Sequence, residues 1–413
     1  MRKAQTQLTT TFNYGNSATR SLPDILTFSH VRWDFVFQRP QHLMSRFANT
    51  RRVFFFEEPI LHDEPEEPRL EVRRCQKTGV VVVVPQLGRH LSRYAIMTAQ
   101  KAMLDRFCKE RGVIDPISWY YSPELYSYSS HLDTSLVIYD CMDELANFRF
   151  ASPQLPLLEQ NLMRRANLVF TGGRSLYEAK KKLHSQVHCF PSSVDRAHFA
   201  SARYPALPEP DDQKNLSGPR LGFFGVIDER MDFGLVAAVA KARPEWSIIL
   251  IGPVAKLRPE ELANEPNIHY LGAKSYEQLP QYLAGWDVAL MPFAINEATR
   301  FISPTKTPEY LAGGKPVVST PIVDVVRQFG KLKAVGIAQT SASFIKCCDA
   351  ALALKAETDW LAEADAALAK GSWDNTFRSM NALIDGMEGG RSQVVTTPYR
   401  GESTQELENR TGS

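Results

Sequence analysis

The stretch 296–320 reads NEATRFISPTKTPEYLAGGKPVVST. A polar loop enters a helix, breaks at Gly313-Gly314 and runs into an apolar strand. Ser303-Pro304 and Thr307-Pro308 each put a capping hydroxyl before a proline suited to the first helical position, so two helix starts are legible. The first start sets Lys306 and Glu309 on one face of one turn. Pro308 would then cost that helix a hydrogen bond. Free N–H groups and partial positive charge at a helix N-terminus suit a phosphate, and Lys306 adds a full charge. Glu309 would repel phosphate but can accept hydrogen bonds from two neighbouring sugar hydroxyls. A cation for phosphates beside a carboxylate for a ribose is the layout of a nucleotide diphosphate site. The same pair is also ordinary surface charge for a first turn, where the helix dipole favours Glu.

Around this stretch, strands and helices alternate. Short apolar runs at 220–224, 246–251, 268–271, 288–292 and 317–319 read as strands, with helices over 233–242 and 276–285 between them. Upstream, 201–219 carries Pro205, Pro208, Pro210 and a Ser217-Gly218-Pro219 turn, a linker composition. Before it the alternation already runs once, with strands at 24–29, 51–56, 79–85, 117–120, 135–139, 168–171 and 187–190. The run GVVVVVP at 79–85 is continuously apolar, as a strand covered on both faces must be. The pattern predicts an α/β protein with two doubly wound, Rossmann-like domains, 23–200 and 220–372, facing each other across a cleft. A helix over 373–387 follows the second domain. The polar ends, 1–22 and 388–413, read as a flexible tail and a disordered one.

Composition narrows the function classes. The 413 residues are 44% apolar and 23% charged, with a net charge of +2, so the chain is globular and no polyanion or nucleic-acid binder by charge. Cys75, Cys108, Cys141, Cys189, Cys347 and Cys348 show neither paired CxxC spacing nor neighbouring His clusters, which predicts reduced thiols and no metal site. No apolar run is long enough to span a membrane, and the N-terminus lacks the apolar core of a secretory signal. The expectation is a cytoplasmic protein.

In such sheets ligands bind at the carboxyl ends of strands. After the first strand come His30, Arg32, Trp33, Asp34, Gln38, Arg39, Gln41 and His42; after 135–139 come Asp140, Asp143 and Glu144; after 168–171 come Gly172-Gly173-Arg174-Ser175. Trp33 beside Asp34 suits a sugar, with a ring for the pyranose face and a carboxylate for a hydroxyl. It equally fits an aromatic staple next to a surface charge. Asp140 and Asp143 also fit helix caps, and the glycine pair is a weak phosphate-loop signal that more often marks a tight turn.

Ser303, Pro304, Lys306, Glu309, Tyr310 and Gly314-Lys315-Pro316-Val317-Val318 together resemble the donor-binding segment of GT-B glycosyltransferases of the family 4-like kind. Within these, the Ser-Pro and Lys variant looks like the TuaH/GumK-like subgroup. The commonest form of the pattern has two glutamates eight apart; Glu309 fits the second, and Phe301 stands at the position of the first. The resemblance covers roughly 24–387. It implies transfer of a sugar from a nucleotide diphosphate sugar, a UDP-sugar, to a glycan or lipid-linked acceptor in cell-surface polysaccharide synthesis, with no metal and no cofactor. Donor-binding residues would be Gly225, Arg230, Tyr270, Ser303, Lys306 and Glu309. Trp33, Arg39 and Gln41 would bind the acceptor, and Asp34 or Asp143 would handle its hydroxyl. Rival readings are a nucleotide-sugar epimerase of the same fold and a non-catalytic scaffold. Arg164-Arg165 and Lys180-Lys181-Lys182 could give a basic face for peripheral membrane contact; solvated helix surface explains them equally.

Overall fold

The computed structural model describes residues 22–394, apart from 65–66, 205–206, 355–356 and 358. Most of both polar ends therefore lies outside the described residues.

The first domain is built on β1 (Ile25–Ser29), β2 (Val53–Glu57), β3 (Ile60–His62), β4 (Arg69–Arg74), β5 (Val81–Gly88), β6 (Ile117–Tyr120), β7 (Leu136–Cys141), β8 (Leu168–Thr171) and β9 (Val187–Cys189). Their order is β3-β5-β2-β1-β6-β7-β8-β9, parallel throughout, with β4 antiparallel on β5. The central strands are apolar at nearly every position because helices cover both faces, giving one core around Phe55, Trp119 and Phe170 and another around Phe28, Phe56 and Tyr139. The pattern of short apolar runs did not signal β3 or β4. RLEVRR offers only Leu70 and Val72 at alternate positions, and its charges suit an exposed sheet edge.

The second domain carries β10 (Arg220–Phe224), β11 (Ser247–Ile251), β12 (Ile268–Gly272), β13 (Val288–Met291), β14 (Val317–Ser319) and β15 (Val335–Ile337) in the order β12-β11-β10-β13-β14-β15, all parallel. The order reverses direction between β10 and β13, so a crevice opens above the loops that follow those two strands. One of these loops leads into the stretch quoted first.

The last helix, Trp373–Val394, crosses back to the first domain. Trp373, Met380 and Ile384 complete its core, Trp373 stacks on His42 with ring centroids 4.5 Å apart, and Asp374 pairs with Arg46 at 2.6 Å. The helix runs past residue 387, where polar sequence was expected to end it. Once a helix is nucleated, each added residue needs only its own hydrogen bond, so polar residues extend it without an apolar face.

Candidate active site

The cleft lies between the carboxyl ends of both sheets. Phe37, Arg39, Asp143 and Gly172 line it from the first domain; Gly225, Arg230, Ser303, Lys306 and Glu309 line it from the second. Lys306 opens the helix Lys306–Ala312. That start matches neither proline start expected from sequence. Pro308 falls third in the helix, where an N–H would have had no intrahelical partner, so it costs no hydrogen bond. The helix is tied to β10 by Tyr310, whose buried hydroxyl accepts from the Phe224 N–H at 2.9 Å.

Two glycines bring the backbone into this corner. Gly225 and Gly252 have φ of +148° and +145°, which L side chains rarely adopt. A Cβ at Gly252 would fall 1.8 Å from the Gly225 carbonyl oxygen, and one at Gly225 would fall 2.2 Å from Lys306 Cε. The Lys306 stem thus lies along bare backbone, with its ammonium delivered into the cleft.

The electrostatics are those of an anion site with two spare carboxylates. Lys306 makes no hydrogen bond or ion pair with any described residue. Burial and the Arg230 charge hold its pKa below that of an ordinary lysine, against the pull of Glu309, Asp228 and Asp143. Arg230 donates from Nε and Nη2 to Asp228 at 2.9 and 2.7 Å and stacks over Phe148. Burial pushes the Glu309 carboxyl up to about 7 despite Lys306, and the Asp143 carboxyl up to about 6 despite Arg230. Arg39 also faces the cleft, but its charge is matched by the fully buried Asp140 at 2.8 Å.

Four of the residues proposed from sequence are placed elsewhere. Trp33 is a core residue, edge-on to Phe55 at 5.0 Å, with its N–H held by Glu57 at 2.8 Å. Asp34 points to solvent and pairs with Arg73. Gln41 is fully buried and spends its amide on the carbonyls of Arg32 and Trp33, at 3.1 and 3.0 Å. These contacts fix the 30–38 loop, and none of the three side chains faces the cleft. Tyr270 donates to the Ala263 carbonyl at 2.9 Å and is not part of the lining either. The Gly172-Gly173 turn holds no open anion loop, because Asp324 of the second domain already accepts from the Ser175 N–H at 3.1 Å. Asp34→Asn is therefore expected to leave kcat within about twofold of wild type, like an ordinary surface change, as steady-state assays would read.

Sequence reasoning missed Phe37, Lys274 and Tyr276, which also line the cleft. Tyr276 stacks on His198 at 4.3 Å and meets Phe37 at 4.9 Å across the domain boundary. Nothing local in the sequence singles out such rings, because only the approach of the two domains makes them neighbours.

Comparison with known proteins points to the same fold class. Residues 218–352 match the family model described as Glycosyl transferases group 1. The matched segment, about a third of the chain, is similar to a group 1 glycosyl transferase domain. TuaH of Bacillus subtilis (strain 168), named for teichuronic acid biosynthesis, is 28% identical over 218 residues, 49% of this chain and 54% of that protein. The match thus spans about half the length of this curated relative. Sucrose-phosphate synthase from Thermosynechococcus elongatus superposes over 89% of this chain and 100% of its own, with a TM-score of 0.63 at 13% identity. HepE of Anabaena, solved with UDP and glucose, covers 87% of this chain and 99% of its own, with a TM-score of 0.61 at 13% identity. The fold is GT-B.

Glu309 makes a testable link between the site and stability. Its carboxyl titrates near 4.5 when unperturbed and at about 7 in the fold. A carboxyl whose folded pKa is raised stabilises the fold fully below the unfolded pKa and loses that contribution as pH rises through the folded one. Glu309→Gln should therefore stabilise the protein at pH 8, by up to about 3 kcal/mol, and do nothing near pH 4. Thermal unfolding at the two pH values reads this, with a gain of roughly 5–10 °C expected at pH 8.

Proposed function

We propose that this protein is a glycosyltransferase that moves a sugar from a UDP-sugar to a glycan or lipid-linked acceptor in cell-surface polysaccharide synthesis. The observation that carries the reading is the Lys306 ammonium, without a partner among the described residues, facing the same interdomain cleft as Glu309 and Asp143. Lys306 and the Gly225 backbone receive the diphosphate, and Arg230 adds charge from beside it. Glu309 accepts the ribose hydroxyls. Asp143, poised near neutral pH as a general base should be, takes the proton of the acceptor hydroxyl. The acceptor oxygen then bonds to the anomeric carbon, and the bond from that carbon to the diphosphate breaks. The diphosphate keeps the electron pair, stabilised by the two cations in place of a metal. Domain closure over this site keeps water from competing for the donor.

The choice of UDP is supported by the UDP-bound structure of HepE, and the choice of acceptor by the pathway for which TuaH is named. No described helix is long and apolar enough to cross a membrane, and a lipid-linked acceptor would bring the protein to the cytoplasmic membrane face as a peripheral visitor. The test is calorimetric titration with UDP, GDP and dTDP in EDTA. Metal-independent binding of UDP is the expected result. A folded protein that binds no nucleotide would sink the reading.

A further inference from the structure

Strand β7 ends at Cys141, and the loop after it brings Asp143 to the cleft before turning through Leu145–Asn147. At the far end of this loop three consecutive residues each meet a different segment of the second domain. Asn147 donates from Nδ2 to the Glu297 carbonyl at 3.0 Å. The Arg149 N–H donates to Glu229 at 3.2 Å, and the Arg149 guanidinium pairs with Glu261 at 2.9 Å. Phe148 stands between them in the chain, and two cations lie over its ring: Arg230 at 5.5 Å and Lys256 at 5.7 Å from the centroid.

The backbone carries the cost of this docking. Phe150, just beyond, has a φ of +67° and is 81% exposed. A bulky residue rarely adopts that left-handed conformation, and such strain persists only where surrounding contacts over-determine it. The solvent-exposed Phe150 ring cannot supply them, whereas residues 147–149 can. Their polar contacts lie toward solvent, where hydrogen bonds and ion pairs add little. The ring is different, because its electron-rich face attracts both cations. Arg230 is itself held from elsewhere: Asp228 takes Nε and Nη2, and the Ala294 N–H donates to the Arg230 carbonyl at 2.8 Å. Phe148 thus ties the loop of Asp143 to a fixed cation of the donor side.

We propose that Phe148 is a positioning residue for sugar transfer: held under Arg230 and Lys256, its ring docks the Asp143 loop against the second domain and so sets the base in line with the donor. Asp143 comes from one domain and the donor-side cations from the other, so their alignment depends on a contact that crosses the boundary. The Phe148 ring makes that contact five residues from Asp143, on the same loop. This role rests on the glycosyl-transfer reading above, because it gives Asp143 a reaction to be aligned for.

The test uses the full chain saturated with UDP, as wild type, Phe148→Leu and Phe148→Tyr. Leucine keeps apolar bulk without a π face, and tyrosine keeps the ring. Amide hydrogen exchange over 142–150, followed by mass spectrometry, reads the docking, since the Arg149 N–H has its acceptor on the other domain. Exchange there should quicken about tenfold in Phe148→Leu, the loss of two cation–π contacts, with β8 unchanged and UDP affinity within about threefold of wild type. Phe148→Tyr should exchange like wild type. In steady-state assays kcat should fall about ten- to a hundredfold in Phe148→Leu alone. Its rise through about pH 6 should persist, because Asp143 is displaced but still titrates. A Phe148→Leu loop that exchanges at the wild-type rate, a tyrosine variant as impaired as the leucine one, or a freed loop with unchanged kcat would overturn the role. Any of these with UDP bound discards the positioning role alone, whereas a wild type that binds no UDP discards the donor site with it.

Discussion

Lys306→Ala is expected to weaken UDP binding by thirtyfold or more and to lower kcat/KM about a thousandfold. The size follows from where the ammonium sits. It has no partner among the described residues, so its charge is uncommitted until a diphosphate arrives. Burial has already stripped most of its water, so the electrostatic gain on binding an anion is larger than it would be at a surface. Arg230 cannot substitute, because two of its nitrogens are held by Asp228. The loss should exceed a simple binding defect, since negative charge on the leaving diphosphate grows as its bond to the sugar breaks. Calorimetry gives the affinity and steady-state kinetics the rate. A variant that keeps both within threefold of wild type would remove Lys306 from the mechanism.

Asp143→Asn should act differently, on the rate rather than on the nucleotide. We expect kcat to fall by about 10²–10⁴, the usual contribution of a positioned general base, with UDP affinity changed by less than threefold. Asp143 faces the cleft from the first domain, across from the donor-side cations, and burial sets its carboxyl at about 6. The carboxylate form is the active one, so wild-type kcat/KM should rise through pH 6 and then level. The amide cannot titrate, so that acid limb should vanish from the residual activity of the variant. A pH–rate profile with the limb intact in Asp143→Asn would assign the base to another group.

Much of the architecture was legible because the relevant signals are local. The GVVVVVP run, rich in β-branched residues, reads as a strand covered on both sides, and the proline-rich 201–219 segment falls between the last strand of one sheet and the first of the next. The Lys306 and Glu309 pairing was legible for the same reason: residues three apart on a helical turn share a face whatever the rest of the chain does. Edge strand β4 escaped notice because an exposed edge needs little apolar sequence.

The loop after β1 shows where local reading stops. Its Trp33, Asp34, Arg39 and Gln41 look equally fit for a sugar. Glu57, on a neighbouring strand, holds the Trp33 N–H, and Gln41 takes the loop carbonyls, so two of the four turn inward as supports and Asp34 is left in solvent. Asp34 and Asp143 were equal candidates by residue type, and only the depth of the cleft separates an exposed carboxylate from one whose pKa burial has raised. The amino-acid sequence alone determined the two α/β units and the charged turn at Lys306, because these depend on periodicity and on neighbours along the chain. Tertiary structure alone decided which side chains meet across the cleft, because desolvation, pKa and hydrogen-bond satisfaction are set by groups far apart in sequence.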